Sequence, residues 1–339
     1  MEKKKVLITG GNGFIGSHTS LKFVELGYIV YVLCRSASSE NPKFNKNVDS
    51  GNIKIIQGSV VDFDYTKLNV QFDYIIHIAG KVSAYGKLED FMKINYGGTK
   101  KLLEFASTQK YLKCFTYLSS TAVYGYYGYV HLKENDTKRP FNNPYSISKL
   151  ETENLVQDYC PKHNINYLII RPGNVFGEYD YTSSHEIYSR VKRQKMSICA
   201  GGKKLSCFVY VGNLAEAISF TTTHPHCYNT DYNVSDGQDE TLKEYLTMVA
   251  NSFGVKAKFT NFPAPLAKFV ANIIEGTYKL FHIKKAPLIT RFSIWQNCAD
   301  YNFSIEKLLN TGYTIKTDFK TAIDNTVAWF NSIDNVKNK

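Results

Sequence analysis

The 339-residue sequence lacks any apolar run of about 18 residues, the length that a membrane-spanning helix needs. No apolar leader precedes the first strand-like segment, so no secretory signal is predicted. The seven cysteines are scattered without a CxxC pair, and their odd number does not favour a disulfide framework. We expect a cytoplasmic protein with reduced thiols and no metal site.

Acidic residues are in the minority: 41 Lys and Arg against 30 Asp and Glu give a formal net charge of +11. A basic balance of this size suits nucleic acid, an anionic membrane surface or a merely basic exterior. The lysines are spread along the chain and no nucleic-acid-binding motif is visible, so nucleic acid is not an expected partner. Hydrophobic residues make up 43% of the chain, which predicts a large buried core.

The feature around which the chain is organised is a glycine-rich stretch near the N-terminus, Thr9-Gly10-Gly11-Asn12-Gly13-Phe14-Ile15-Gly16-Ser17. A short apolar segment typical of a buried strand precedes it, and residues at helical spacing follow it as far as Gly27. Glycines in such a turn let the backbone approach phosphates, and the helix N-terminus supplies free N–H groups. A tight turn without a ligand is the alternative, but the strand–turn–helix context favours dinucleotide binding.

The end of the second predicted strand bears on the choice of cofactor. Cys34 and Arg35 stand where an NAD-selective fold usually carries Asp or Glu for the ribose 2′-hydroxyl. A guanidinium attracts a 2′-phosphate by about 4 kcal/mol at about 4 Å and an effective dielectric near ~20. We therefore expect NADP(H) to be preferred, with NAD(H) as the other candidate and a solvated arginine as the alternative interpretation.

Six apolar segments are predicted to be strands separated by helices: residues 5–8, 28–33, 53–57, 72–78, 114–118 and 167–170. This order predicts an α/β fold, a Rossmann-type doubly wound parallel sheet. Residues 206–211 and 232–235 are predicted to be further strands. We expect a dinucleotide-binding domain over residues 1–177, to which residues 206–235 add a strand and a helix. A smaller α+β substrate-binding region is expected from residues 178–205 and 236–335.

The segments after the third and fourth strands are expected to contact the cofactor. Ser59 and Val60 follow the third strand, where the adenine would lie. Ala79 and Gly80 close the fourth strand, and such small residues let a cofactor pass close to the backbone.

His77, within the fourth strand, is expected to be a satisfied core histidine. The next helix, residues 88–108, carries Gly97 and Gly98 in its middle. Each costs about 1 kcal/mol relative to alanine, so we expect close packing there.

The chemistry of the chain is predicted to centre on Tyr145 and Lys149, which lie four residues apart on one face of a helix. A free phenol has a pKa near ~10, and a nearby ammonium lowers it by about 1–3 units. Tyrosine then becomes usable for moving a proton to or from a substrate oxygen. Ser120, at the end of a neighbouring strand, is placed to orient that oxygen. A surface pair that lies four apart by chance is the alternative.

Taken together, the motifs resemble the extended short-chain dehydrogenase/reductase family over nearly the whole chain. The matching pieces are Gly10-x-x-Gly13-x-x-Gly16, Ile75-Ile76-His77-Ile78-Ala79-Gly80, Asn95, Ser119-Ser120-x-x-Val123-Tyr124-Gly125, Tyr145-x-x-x-Lys149, Arg171-Pro172-Gly173-Asn174-Val175-Phe176-Gly177 and residues 324–330. The resemblance implies an enzyme in which Tyr145 is the acid/base, Lys149 holds the nicotinamide ribose and tunes Tyr145, and Ser120 orients the substrate. Asn95 completes the expected catalytic set.

The resemblance also implies a set of cofactor-binding residues. It comprises Gly10, Asn12, Gly13, Phe14, Ile15, Gly16, Arg35, Ser36, Ser59, Val60, Ala79, Gly80, Lys81, Ser119, Tyr145, Lys149, Pro172 and Asn174.

Within the family, three features favour a net redox reaction over a redox-neutral one. Cys34 and Arg35 suit NADP; Thr121 and Ala122 replace the acidic pair that a 4,6-dehydratase carries; and residues 206–207 lack the Arg-Asp of many sugar-nucleotide enzymes. Other segments, including residues 81–86 and 286–291, look like the 3-beta-hydroxysteroid dehydrogenase-like branch. We therefore expect interconversion of a secondary alcohol and a ketone on an apolar, steroid- or lipid-like substrate. The alternative is a redox-neutral nucleotide-sugar epimerase or dehydratase with tightly bound NAD.

The expected partners are a small-molecule substrate and a second copy of the chain, since family members often dimerise through the helix bearing Tyr145 and the helix before it. The apolar segment at residues 262–282 is most simply an ordinary core helix. The alternative is peripheral contact with a membrane surface, assisted by Lys279, Lys284 and Lys285.

Overall fold

The computed structural model describes residues 3–283 and 285–337; Lys284, one of the lysines considered for membrane contact, lies outside them. Thirteen strands occur in this part of the chain: β1 (Lys5–Thr9), β2 (Ile29–Cys34), β3 (Ile53–Gln57), β4 (Tyr74–His77), β5 (Cys114–Leu118), β6 (Tyr129–Leu132), β7 (Tyr167–Pro172), β8 (Asn174–Phe176), β9 (Met196–Cys199), β10 (Phe208–Tyr210), β11 (Thr230–Val234), β12 (Phe259–Phe262) and β13 (Tyr301–Phe303).

Twelve α-helices occur in the same part of the chain: α1 (Phe14–Glu25), α2 (Pro42–Asp49), α3 (Leu88–Phe91), α4 (Gly98–Ala106), α5 (Pro144–Lys162), α6 (Ser183–Lys192), α7 (Val211–Thr223), α8 (Leu242–Ser252), α9 (Ala264–Leu280), α10 (Arg291–Asn297), α11 (Glu306–Leu309) and α12 (Phe319–Lys337). A π-helical segment, Met92–Gly97, joins α3 to α4. Short 3-10 turns occur at Tyr65–Lys67, Thr121–Tyr124, Ala200–Gly202 and Pro225–Cys227.

Seven strands form one parallel sheet in the order β11-β7-β5-β4-β1-β2-β3. Successive side chains of a strand point to opposite faces. Val6 and Ile8 of β1 therefore pack with α1 and α7, whereas Leu7 packs with α4 and α5. Helices cover both faces, as a parallel sheet requires. The predicted Rossmann-type doubly wound fold is confirmed.

The structure changes the assignment of two predicted strands. Thr230–Val234 joins the main sheet beside β7 as its seventh strand. The segment at residues 206–211 contributes only Phe208–Tyr210, which pairs with β8 in a separate two-stranded sheet, and Val211 already begins α7. A three-residue apolar run cannot reveal from the sequence which sheet it joins, because its pairing is set by the chain that folds back over it.

The segments after β7 fold over the carboxyl end of the main sheet. A second core cluster joins α6, α8 and α12 to β8 and β10 through aromatic residues such as Phe176, Tyr245 and Phe330. β6 pairs with β13 and β9 pairs with β12, so residues before and after α5 are tied to the C-terminal part. The predicted division into two domains stays a prediction.

The helical stretch that contains Gly97 and Gly98 is packed as expected at one of the two glycines. A Cβ at Gly98 would lie 2.8 Å from Val60, so a side chain there would collide, whereas Gly97 has ordinary clearance.

Within residues 3–283 and 285–337, no helix combines the length and apolarity needed to cross a bilayer.

Candidate active site

The glycine-rich turn connects β1 to α1 and leaves the start of the helix open. The N-cap residue Gly13 has no side chain to bond the first turn. The first N–H groups of a helix have no intrahelical acceptor, so they remain available to an anionic group. A Cβ at Gly16 would collide with the carbonyl oxygen of Gly10. Phe14 and Ile15 are partly buried and pack against the cores, and their backbone N–H groups lie in the open first turn.

The turn is tied to the loop after β2 by Asn12. Its Nδ2 donates to the carbonyl oxygens of Ser36 at 2.8 Å and Ser38 at 2.9 Å. Arg35 and Ser36 are exposed in this loop, whereas Cys34 is buried and its thiol faces the carbonyl of Val32. Arg35 is therefore the first side chain after β2 that can meet a ligand.

The loop after β4 lies against the glycine turn and against α5, the helix that carries Lys149. The N–H of Ala79 donates to the Thr9 carbonyl at 3.0 Å. A Cβ at Gly80 would lie 3.1 Å from Asn95 Oδ1 and 3.7 Å from Lys149 Nζ. Ala79, Gly80 and Lys81 thus lie beside Asn95 and Lys149. Ser59 and Val60 follow β3 as predicted, and Val60 is buried against Gly98.

Asn95 lies in the π-helical segment and joins this loop to α5. Its buried amide accepts a hydrogen bond from the Lys81 N–H at 2.7 Å and donates to the Lys81 carbonyl at 3.2 Å and to Ser148 Oγ at 2.9 Å. π-Helical turns inside α-helices often occur at functional sites. Because the polar atoms of its side chain are engaged by Lys81 and Ser148, we propose Asn95 as a positioning residue.

His77 is a satisfied core histidine, as predicted. Its Nδ1 lies 2.6 Å from Thr9 Oγ1 and its Nε2 lies 2.8 Å from Thr99 Oγ1. Thr99 uses its hydroxyl proton for the carbonyl of Asn95, so we assign the proton of the ring to Nε2. Burial lowers the pKa of His77 to about 3, which keeps the ring neutral.

Tyr145 and Ser120 are brought together as predicted. Ser120 caps the 3-10 turn after β5, where its Oγ accepts a hydrogen bond from the Ala122 N–H at 3.1 Å, and its hydroxyl lies close enough to the Tyr145 phenol to act on the pKa of that group. Burial raises the pKa of Tyr145, and the bond donated by Ser120 opposes that rise by favouring the phenolate. The expected lowering of the pKa of Tyr145 is therefore wrong for the protein as it stands, because burial outweighs the hydrogen bond.

Lys149 is buried beneath the end of β5. Its ammonium donates to the carbonyl of Leu118 at 2.7 Å and lies 4.8 Å from the centroid of the Tyr117 ring. Burial lowers the pKa of Lys149 to about 8, and the charge of Glu153 partly opposes that fall.

The remaining predicted residues lie at the ends of β5 and β7. Ser119 Oγ is buried with no hydrogen-bond partner in the described part of the chain, so it is available to a ligand. Pro172 ends β7, and its carbonyl accepts from Thr121 Oγ1 at 3.1 Å. Asn174 starts β8, and its Oδ1 accepts from Gln296 Nε2 at 2.8 Å. Asn174 therefore links the motif after β7 to α10.

Helix α5, which carries Tyr145 and Lys149, is fixed to the sheet by a buried ion pair. Arg171 of β7 donates two hydrogen bonds to the carboxylate of Glu153, each 2.8 Å long, and both side chains are fully buried. Glu153 lies one turn after Lys149 on α5. Bidentate arginine–carboxylate pairs impose geometry as well as attraction. The pair therefore holds α5 in register with β7.

Two residues beside the site, Arg291 and Phe292 of α10, were not predicted from the sequence. The ring centroid of Phe292 lies 6.4 Å from that of Tyr145, edge to face. Arg291 lies beside it, with its Nε buried and unpaired in the described chain, between the rings of Phe141 and Trp295. The capping pattern of Thr290 and Ser293 marks this helix in the sequence but gives no sign of what it contacts.

The residues described so far fit a nicotinamide dinucleotide. The uncapped helix start suits its pyrophosphate, the loop of Ala79 to Lys81 offers backbone at close range, and Ser119 offers an unpaired hydroxyl.

Comparisons with known proteins agree with this assignment. The model of one family, described as "NAD dependent epimerase/dehydratase family", matches residues 6–235. A dTDP-D-glucose 4,6-dehydratase of Mus musculus is 26% identical over 347 aligned residues, which cover 96% of this chain and 88% of that protein. A putative UDP-glucose 4-epimerase of Methanocaldococcus jannaschii is 28% identical over 264 residues, which cover 75% of this chain and 84% of that protein.

Solved structures show the same fold. A UDP-glucuronic acid 4-epimerase from Bacillus cereus in complex with NAD superposes with a TM-score of 0.76 over 97% of this chain and 99% of that chain, at 18% identity.

These comparisons confirm the family and correct the narrower expectations. The expected oxidation or reduction of a steroid- or lipid-like substrate is wrong, as is the 3-beta-hydroxysteroid dehydrogenase-like branch, because the relatives are nucleotide-sugar dehydratases and epimerases. The preference for NADP is not supported, since the family description names NAD. The expectation of a net redox reaction rested largely on absent features, and a missing carboxylate or arginine does not identify what binds instead.

Proposed function

We infer that the chain, which belongs to the NAD dependent epimerase/dehydratase family, is an enzyme that epimerises a nucleotide sugar without net oxidation. The relatives named above support the substrate class. The observation that carries the reaction type is the pairing of Ser120 and Tyr145 beside a strand end that has no acid after the serine.

Thr121 and Ala122 favour epimerisation over dehydration. A dehydratase must protonate the hydroxyl that leaves, which requires an acid beside the reacting sugar. Here both positions are buried, and the Thr121 hydroxyl is occupied by the Pro172 carbonyl and the Tyr301 hydroxyl. Neither residue can supply that proton. Epimerisation at one carbon, in contrast, needs only a group that removes the proton of the hydroxyl on that carbon and later returns it.

Tyr145 is the group proposed to move that proton. Its phenolate accepts the proton of the sugar hydroxyl and returns it after the configuration has changed. Ser120 donates to the same phenol oxygen and favours the phenolate. The buried Lys149 ammonium adds positive charge on the same helix. NAD, when bound, supplies the hydride acceptor that also returns the hydride.

We propose that NAD is held by the glycine turn, Ser119 and the loop from Ala79 to Lys81, with Lys149 at the nicotinamide ribose. The expected preference for NADP rests on the missing acid at Cys34 and on the charge of Arg35; Cys34 is buried and Arg35 is exposed. An exposed arginine is screened by solvent, so its attraction to a 2′-phosphate is much weaker than for a buried site. Arg35 is therefore proposed to set how well NADP is tolerated.

Arg291 is proposed to bind the diphosphate of the substrate. Its neighbour Phe292 contacts Tyr145, and its unpaired buried Nε leaves a donor available on a group that is always charged. Diphosphates are recognised by such guanidinium donors. This assignment supplies the arginine that residues 206–207 lack.

A homodimer through α4 and α5 also stays a proposal.

The test is to denature the purified protein, identify the nucleotide released, and supply UDP-glucose, UDP-N-acetylglucosamine and dTDP-glucose in turn. We expect released NAD, and conversion of one sugar to its 4-epimer with no net NADH. Tyr145→Phe should abolish turnover and retain NAD. Arg291→Met should raise KM for the sugar at least about tenfold, whereas Arg190→Met on α6 should not.

Two results would overturn the proposal. A 4-keto-6-deoxy product would make the enzyme a dehydratase. Stoichiometric consumption of NADH or NAD would show a net redox reaction.

A further inference from the structure

Helix α9 packs small residues against the core and exposes large apolar ones, which is the reverse of an ordinary amphipathic surface helix. It buries Ala267, Ala271 and Glu275 at four-residue spacing. Its opposite side exposes large apolar residues at three-, four- and seven-residue intervals, which places them on one stripe. Their exposed fractions are Leu266 51%, Phe269 62%, Ile273 52% and Leu280 73%. The prediction of an ordinary core helix at residues 262–282 is therefore wrong, because the small residues of α9 face the core.

The apolar surface continues into the loop after the helix. Phe281 is 69% exposed and Leu288 is 90% exposed. The six residues Leu266, Phe269, Ile273, Leu280, Phe281 and Leu288 are called the α9 face below. Single exposed apolar side chains are common, but a run of this kind on one element marks an interaction site.

The segment that carries the α9 face is strongly basic. Residues 256–291 contain seven Lys or Arg (Lys256, Lys258, Lys268, Lys279, Lys284, Lys285, Arg291) and one acidic residue, Glu275, so their net charge is +6 of the +11 of the whole chain. Glu275 is buried and bound to Lys279 and to the Arg291 N–H, so it offsets the charge of Lys279 and leaves the other lysines of the segment uncompensated within it.

The α9 face also lies on an element next to the active site. Glu275 of α9 binds the first residue of α10, and Phe292 of α10 contacts Tyr145. On the other side, Tyr278 contacts Tyr85 in the loop that follows Lys81, with ring centroids 6.4 Å apart. Helix α9 is therefore linked to the surroundings of Tyr145 through α10.

We propose that the α9 face lies on an anionic membrane surface, with Leu266, Phe269, Ile273 and Leu280 inserted at the headgroup level and the flanking lysines on the phosphates. A helix with Phe and Leu on one side and lysines beside it is typical of interfacial binding. In the described part of the chain no helix can span the bilayer, so the contact is peripheral.

A second copy of the chain suits the same surface poorly. A twofold contact places a surface against itself, so the lysines of residues 256–291 would face identical lysines. Like charges across an interface oppose association, whereas an anionic leaflet attracts each lysine near it.

The test is flotation of the full-length protein with vesicles of phosphatidylcholine that contain about 30 mol% phosphatidylserine, against vesicles of phosphatidylcholine alone. We expect at least about tenfold more protein to float with the anionic vesicles, and this binding to weaken as salt rises from about 0.1 to about 0.5 M. Phe269→Glu/Ile273→Glu should lose the binding at least about tenfold. Both positions are exposed, so the variant should melt at the wild-type temperature.

A matched control adds two equal charges elsewhere. Leu26→Glu/Tyr111→Glu changes exposed side chains (47% and 69%) outside the α9 face and should float like the wild type. The proposal is overturned if the wild type does not float, if it floats equally with neutral vesicles, or if Phe269→Glu/Ile273→Glu floats unchanged. It is also overturned if light scattering shows a wild-type dimer that this variant converts to a monomer, with neither form bound to vesicles. None of these readouts depends on the sugar substrate.

Discussion

The ammonium of Lys149 donates a 2.7 Å hydrogen bond to the main-chain carbonyl of Leu118, the last residue of β5. The bond places the positive charge of α5 at the carboxyl end of the central strands, next to the segment that carries Ser120. It also buries that charge, which is why the pKa of Lys149 falls to about 8 from 10.5.

The burial of Lys149 predicts a dependence of stability on pH. A lysine whose pKa is depressed by folding destabilises the protein below that pKa, and the penalty is relieved as pH rises from about 8 to 10.5. Relative to Lys149→Met, the wild type should gain about 3 kcal/mol of unfolding free energy between pH 7 and pH 10.5. Urea unfolding at both pH values measures it; a constant difference between the two proteins would contradict it. The turnover of the wild type should fall above pH ~8, as Lys149 loses its charge.

Ser120→Ala should lower kcat by about 100-fold with little change in KM. Without the donated hydrogen bond, burial acts alone and the pKa of Tyr145 rises further, so less phenolate is present. The pH–rate profile should shift to higher pH. Ser119→Ala is the neighbouring control: it should change the affinity for NAD and leave the profile in place, and a reversed pattern would exchange the roles of the two serines.

Asn95→Ala should lower the free energy of unfolding by about 2 kcal/mol, because it removes the hydrogen bonds that the Asn95 amide makes with the main chain of Lys81 and with Ser148 Oγ. The Kd for NAD should rise by about tenfold, since the loop of Ala79 to Lys81 loses its anchor. Calorimetry of binding and urea unfolding supply the two numbers. Asn251→Ala, at an exposed position of α8, should leave both unchanged; an Asn95 variant with wild-type NAD affinity would rule out the positioning role.

Gly16→Ala should abolish NAD binding and reduce stability, because the added Cβ collides with the carbonyl of Gly10. Gly276→Ala, in α9, has open space around the new Cβ and should stabilise the protein by up to about 1 kcal/mol. Thermal melts with and without NAD distinguish the two. Equal effects of the two alanines would mean that the turn tolerates a side chain.

Arg35→Ala should weaken NADPH binding by about tenfold while the Kd of NADH stays within about threefold, because only NADPH carries the 2′-phosphate. Fluorescence titration with each cofactor measures the ratio. If both affinities are unchanged, Arg35 does not reach the ribose.

Local sequence signals were sufficient for six strands of the main sheet and for the positions of Tyr145 and Lys149 on one helix. Apolar segments separated by helices fix a parallel sheet because each buried strand needs helices on both faces. The spacing of Tyr145 and Lys149 fixes them on one face of a helix, and the glycines at positions 10 to 16 leave a backbone turn open to phosphate. His77 could be recognised as a core residue because it lies inside an apolar strand.

Tertiary structure decided the rest, since it depends on contacts between distant parts of the chain. The pKa of Tyr145 rises because other elements bury it, and Phe292 and Arg291 reach the site only because α10 folds back beside α5. The sequence likewise does not show which side of α9 is buried, because both of its sides carry apolar residues. Only packing against the core shows that the alanines face inward and the large side chains outward.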